Sequence, residues 1–133
     1  MTISFQNKLV AVMNEKIEPG MIMNALAHMC IGFGSAIGKE PLRLTNYIDG
    51  DGGSHPHISE MPFMILKANS NKIRGTRQAA LEKKIPFVDF INTMTIGTYL
   101  EQVEKTKQAK EEELIYYGIV LFGNENIWRY LLR

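Results

Sequence analysis

Four short apolar runs set the frame of this chain: Leu9 to Met13 (LVAVM), Pro62 to Ala68 (PFMILKA), Ile85 to Phe90 (IPFVDF) and Leu114 to Phe122 (LIYYGIVLF). Each is too short for a core helix and rich enough in Val, Ile, Phe or Tyr to read as a buried strand. Helical signals separate them. Pro19 suits a first helical turn, where its missing N–H has no partner to lose. Ile22, Leu26, Met29, Cys30, Phe33 and Ile37 then repeat at the spacing of one helix face. A helix is predicted over about 20–37, with Gly38 just past its end. Asn69 or Ser70 caps a second helix reaching about Lys84. Thr98 and Glu101 form a capping box for a third, ending near Gln108. Asn124 caps a last one carrying Ile127, Trp128, Leu131 and Leu132.

This alternation predicts an α/β fold, a three-layer α/β/α sandwich with residues 114–122 as its central strand. Between the first helix and the second strand, Leu42, Leu44 and Ile48 alternate loosely as a short strand. Residues 49–53 are turn material, and His55-Pro56-His57 is extended. A chain of 133 residues with no repeat and no low-complexity linker predicts a single domain, 1–133.

Composition excludes several classes. Fifteen Lys+Arg against fourteen Asp+Glu leave a formal charge of +1, so any nucleic-acid surface is a local patch. The single cysteine, Cys30, forms no internal disulfide and suits a reducing compartment. The start, MTISFQNKLVAVM, lacks a signal-peptide pattern, and no run reads as the ~18 apolar residues of a membrane span. The expectation is a cytoplasmic protein with no membrane partner.

In open α/β sheets ligands gather outside the carboxyl ends of the strands, beside helix N-termini with unpaired N–H groups. Three such junctions are rich in small polar residues: Asn14 to Gly20, Asn69 to Lys72, and Asp89 to Thr95. In the third, Asp89 precedes Asn92, Thr93 and Thr95. Two roles fit it, a base or water-orienter and a cap for loop N–H groups. Asn24 and His28 share one face of the first helix. His28 suits proton transfer to a ligand, or a structural hydrogen bond.

Lys67, Lys72, Arg74 and Arg77 flank the start of the second helix, either as an anion site or as a solvated face. Arg77 is the odd one, because it falls on the apolar stripe between Ile73 and Leu81, where it must snorkel or pair with a carboxylate. Asp49, Asp51, His55 and His57 are metal-ligand types, but without a complete ligand framework they read as turn chemistry, and no metal is expected. No nucleophile elbow, phosphate-binding loop or dinucleotide fingerprint occurs, so no cofactor is expected.

Three long segments carry a resemblance in order along the chain: Lys8 to Cys30, PFMILKANSNKIRGTRQAALEKKIPFVDFINTMTIGT from Pro62, and EEELIYYGIVLFG from Glu111. They closely resemble a family of small bacterial proteins known as a domain of unknown function. That family is similar to type II peptidyl-tRNA hydrolases. The resemblance implies a mixed, about four-stranded sheet between helices, and a homodimer. It also carries the hydrolase pattern onto Gly20, Asn24, His28, Asp89 and Thr93. The catalytic lysine position holds Met21, and a basic position holds Asn92.

A thioether supplies neither charge nor a hydrogen-bond donor to a developing oxyanion, and losing one such donor removes about two to three orders of magnitude in rate. The expected function is therefore binding of a small polar or anionic ligand, RNA-linked ones included. Its residues are Asn14, Gly20, Asn24, Asn69, Ser70, Lys72 and Asn92. The alternative is an ester hydrolase of peptidyl-tRNA hydrolase type, with Asp89, Thr93 and His28 as its catalytic residues and Asp89 as base or water-orienter.

Overall fold

The computed structural model describes residues 6–124 together with Arg129 and Leu131. In chain order the elements are β1 (Asn7–Asn14), α1 (Pro19–Ile37), a four-residue helical turn α2 (Lys39–Leu42), β2 (Leu44–Ile48), β3 (Ser54–Ser59) and β4 (Phe63–Ala68). There follow α3 (Ser70–Lys83), β5 (Phe87–Ile91), a 3-10 turn (Asn92–Thr95), α4 (Tyr99–Gln108), a second 3-10 turn (Glu111–Glu113) and β6 (Tyr116–Asn124). The closing helix expected from Asn124 falls largely outside the described residues.

Four strands form a mixed sheet in the order β4-β1-β6-β5. β1 runs parallel to β4, with Leu9 opposite Phe63, and antiparallel to β6, with Met13 opposite Gly118. β5 completes the sheet antiparallel to β6. The period of two along β1 splits the core. Leu9, Ala11 and Met13 pack with Ala25, Met29 and Phe33 of α1. Val10 and Val12 pack with Ile73 and Ala80 of α3, and with Leu131. Each face of the sheet therefore carries a helix. Gly118 lets α1 approach: a Cβ there would lie 2.6 Å from the Met13 sulfur and 3.0 Å from Met29 Cε.

Local chemistry matches the elements it was expected to start and stop. Asn69 caps α3 by accepting a hydrogen bond from Lys72 N–H, the Thr98/Glu101 capping box opens α4, and Gly38 follows α1 at φ 94°. Three expectations need correction. Leu42 belongs to the helical turn α2, and β2 and β3 pair only with each other, as a separate hairpin. Residues 62–68 form an edge strand and not a buried one: Phe63, Met64, Ile65 and Leu66 are 36–59% exposed. Finally, α1 carries no charged residue over its 19 positions, and at a mean hydropathy of 1.4 it is long and apolar enough to cross a membrane by length and composition. Here it lies along the sheet. Its polar positions, Asn24, His28 and Ser35, hid the length of the uncharged stretch.

Candidate functional site

β1, β4 and β5 end, and β6 begins, along one edge of the sheet, and the expected polar residues do meet there. The Asn14 amide nitrogen donates to the Tyr116 carbonyl at 2.8 Å, while its oxygen accepts from Lys16 N–H at 2.9 Å. Ser70 Oγ accepts from Tyr116 N–H at 2.9 Å, and Asn92 Oδ1 accepts from Ile115 N–H at 3.0 Å. Asn69 Oδ1 accepts from Lys72 N–H at 2.8 Å. Each side chain is occupied with main-chain groups that would otherwise be orphaned. The rim exists, and its amides and hydroxyl fasten it.

The ionic chemistry lies on the α3 side. Along β5, Val88 and Phe90 pack with the α1 cluster, while Phe87 and Ile91 pack with the α3 cluster. Asp89 shares the parity of Phe87 and Ile91. Its carboxylate accepts from Arg77 Nε at 2.9 Å, the two side chains being 17% and 27% exposed. Burial lifts the Asp89 carboxyl above the ordinary carboxylate range against the downward pull of Arg77. Arg77 also stacks 5.7 Å over the Phe87 ring.

Beside this pair, Arg74 bonds to Glu111 and to the Leu114 carbonyl, and Tyr116 Oη donates to Glu111 Oε2 at 2.6 Å. Burial, with Glu111 adding to it, pushes the Tyr116 phenol up to about 12. The same hydrogen bond holds the Glu111 carboxyl below its ordinary value. Of the two readings of this basic cluster, Arg74 and Arg77 are engaged by carboxylates, as the place of Arg77 on an apolar stripe demanded, and Lys67 and Lys72 are exposed residues.

The opposite, α1 side holds a cleft of about 690 Å³ between α1, β5 and α4. His28 borders it with its ring 6.2 Å from that of Phe90. Met29, Val88 and Met94 supply apolar wall. The far wall is Tyr99, Gln102, Val103 and Thr106, with Lys107 beside them. These α4 residues were not singled out by sequence reasoning, although the first four stand at i, i+3, i+4 and i+7 and share one helix face. Thr93 is buried and bonds through its hydroxyl to Thr106 Oγ at 2.7 Å, tying α4 to the turn after β5.

Of the three residues expected to act together, His28 and Asp89 both line the cleft, but the Asp89 carboxylate is bonded to Arg77 of α3 and the Thr93 hydroxyl is bonded to Thr106. Asn24 is exposed on α1, and Gly20 is exposed in its first turn, where a Cβ would meet only Glu18 Oε1 at 3.9 Å. Met21 is exposed seven residues before His28 on the same flank.

In the hairpin, Asp49 Oδ1 accepts from Asp51 and Gly53 N–H, and its other oxygen meets His55 Nε2 at 2.8 Å. The His55 bond holds the Asp49 carboxyl below its ordinary value. Among the described residues no three His, Cys, Asp or Glu side chains group as a metal site.

Comparison with known proteins adds fold and family. The chain is similar to a solved structure of a protein of unknown function, Atu0240 from Agrobacterium tumefaciens strain C58. The two superpose with a TM-score of 0.84 at 17% identity, over 98% of this chain and 96% of that one. At that identity the likeness speaks to fold alone. No curated protein matches the chain. A family of proteins of unknown function, DUF2000, matches residues 7–132, and the chain belongs to that family.

Proposed function

We propose that this protein binds a small ligand in the cleft between α1, β5 and α4, and that the fold around the cleft is a three-layer sandwich of type II peptidyl-tRNA hydrolase kind. The cleft itself carries the reading: about 690 Å³ falls within the ~300–1,000 Å³ of small-molecule sites, and its apolar walls bear a few convergent polar groups as such sites do. Phe90, Met94 and Tyr99 suit a flat or apolar part of the ligand. His28, Gln102 and Lys107 suit a polar or anionic group. Binding is favoured over hydrolysis because Met21 stands at the lysine position, Asp89 is held in its ion pair, and the Thr93 hydroxyl is occupied. The reading places the protein in the cytoplasm, with Cys30 kept as a thiol.

A thermal-shift screen of nucleotides, phosphate esters and small carboxylates tests this. Hits are expected to lose about tenfold in affinity in Lys107→Ala, the loss of one charge-assisted hydrogen bond. Hits unaffected by both Lys107→Ala and Tyr99→Ala would place the ligand elsewhere. Cleavage of peptidyl-tRNA by the wild type, abolished in Asp89→Ala, would replace the binding reading with the hydrolytic one.

The same reading takes the protein as a homodimer joined through β4. Among the described residues β4 pairs on one side only, and its outer edge offers unpaired main-chain groups between exposed Phe63, Met64, Ile65 and Leu66. Uncovered apolar edges of this kind pair with other strands. A twofold at Ile65 would set Phe63 opposite Lys67 in an antiparallel ladder. Light scattering is expected to return twice the 15.1 kDa chain mass, and the chain mass alone for Ile65→Lys. A wild-type protein that stays at 15.1 kDa up to high micromolar concentration removes this dimer.

A further inference from the structure

On the other flank of α1 lies a second cavity, about 490 Å³, between α1, the β2–β3 hairpin and the start of β4. We infer that it is a binding site for an aliphatic monocarboxylate of medium chain length. Phe33, Leu42, Leu44, Met61, Phe63 and Val120 wall it, and none of its lining residues is Asp, Glu, Lys or Arg. Phe33, Leu42, Met61 and Val120 belong to the core cluster between the sheet and α1, so the cavity borders that core. The cavity is open to solvent on the side of His57, Ile58 and Phe63, which are exposed. The volume is that of a small-ligand site.

Two positions bear on what fills it. Gly34 lines the cavity within α1, where glycine weakens a helix. Unlike Gly118, it has no neighbour that demands the space: a Cβ there meets nothing within 4 Å. The missing side chain therefore widens the cavity and serves no close approach.

His57 is the second position. Among the described residues three non-glycines have positive φ, and two of them, Arg43 and Lys84, follow helix ends where the left-handed turn is ordinary. His57, at φ 66°, lies inside β3. Thr45 opposes Ile58 and Tyr47 opposes His55, so Pro56 and His57 together face Asn46 alone. That is a bulge, and a left-handed bulge residue is ordinarily glycine. Bulges re-aim a side chain, and this one sets His57 in the cavity lining.

The polar inventory of the lining fixes the ligand's head group. Ser59 Oγ is doubly engaged, donating to the Leu42 carbonyl at 2.6 Å and accepting from Met61 N–H at 3.1 Å. Burial pushes the Cys30 thiol up, which leaves it uncharged and a weak nucleophile. The His57 ring remains, an N–H donor at the edge of an apolar chamber. A chain of methylenes ending in one carboxylate matches a chamber with one donor.

The inference stands apart from the α4 cleft, and methionine methyl NMR separates the two. The chain has eight methionines, of which Met61 lines this cavity and Met94 lines the cleft. Decanoate is expected to shift the Met61 methyl and leave Met94 in place. His57→Gly, which suits the bulge backbone, is expected to raise the melting temperature while weakening decanoate about tenfold and leaving decanol unchanged. Gly34→Leu, filling the void, is expected to abolish binding of both. Decanoate that shifts Met94 and not Met61 overturns the site, as does a wild type that binds neither probe. Equal loss of decanol and decanoate in His57→Gly overturns the head-group assignment.

Discussion

Replacing Asn14 by leucine is expected to cost about 2–3 kcal/mol of folding stability, read by urea denaturation, and to leave binding in the α4 cleft intact. The last opposed pair of β1 and β6 is Met13 with Gly118. Beyond it the Asn14 side chain continues the ladder, donating to the Tyr116 carbonyl and accepting from Lys16 N–H, in a position only 4% exposed. Leucine matches the branching and heavy-atom count and supplies neither bond. A typical hydrogen bond contributes about 1 kcal/mol net, and a buried group left without a partner costs about 1–3 kcal/mol. The Tyr116 carbonyl is such a group, since its residue is almost wholly enclosed. The effect should be confined to stability. Lost binding in a variant as stable as the wild type would return Asn14 to the ligand-binding role expected from its place after β1.

What could be read from the sequence was whatever depends on local chemistry and on period. The apolar runs mark all four strands of the main sheet, and residues 114–122 are mostly the inner strand β6 because a strand covered on both faces has no polar side to show. An apolar run does not tell inner from edge, however, and residues 62–68 are as apolar as β1 while lying at the margin. Arg77 was flagged by its place on an apolar stripe, and the structure supplies the carboxylate that such a place demands. That partner is Asp89, whose place after a strand at the rim suggested a base or a loop cap and did not show the ion pair, because the approach of α3 to β5 is not written in either segment alone. The α4 wall of the cleft was beyond local reading. Its helix face is legible, but the element it opposes is set by how α4 settles beside α1, which no spacing along the chain encodes. The tie holding it there, Thr93 to Thr106, spans 13 residues.

The ion pair gives a second large effect, and its pH dependence identifies its cause. Arg77→Leu is expected to cost about 2 kcal/mol at pH 7.5, below the ~3–5 kcal/mol of a fully enclosed broken pair because both side chains keep some contact with water. Asp89→Asn should cost less, since the remaining guanidinium still stacks on Phe87 and reaches solvent along its stem. The double variant should regain much of the loss, because neither charge is then stranded. Burial already raises the Asp89 carboxyl in the folded chain, so the folded state holds that proton more tightly than the unfolded state does. Stability from this group is therefore greatest below the ordinary aspartate range and falls as pH rises through the raised value, flattening above it. Removing Arg77 removes the pull that opposes burial, so the raised value climbs further and the window widens upward. The Arg77→Leu deficit should thus be full at pH 7.5 and shrink steadily toward pH 4, where the carboxyl is protonated and has no charge to strand. Parallel wild-type and Arg77→Leu urea titrations across that range measure it. A deficit that stays constant with pH would trace the loss to the packing of the arginine stem on Phe87 and not to the carboxylate.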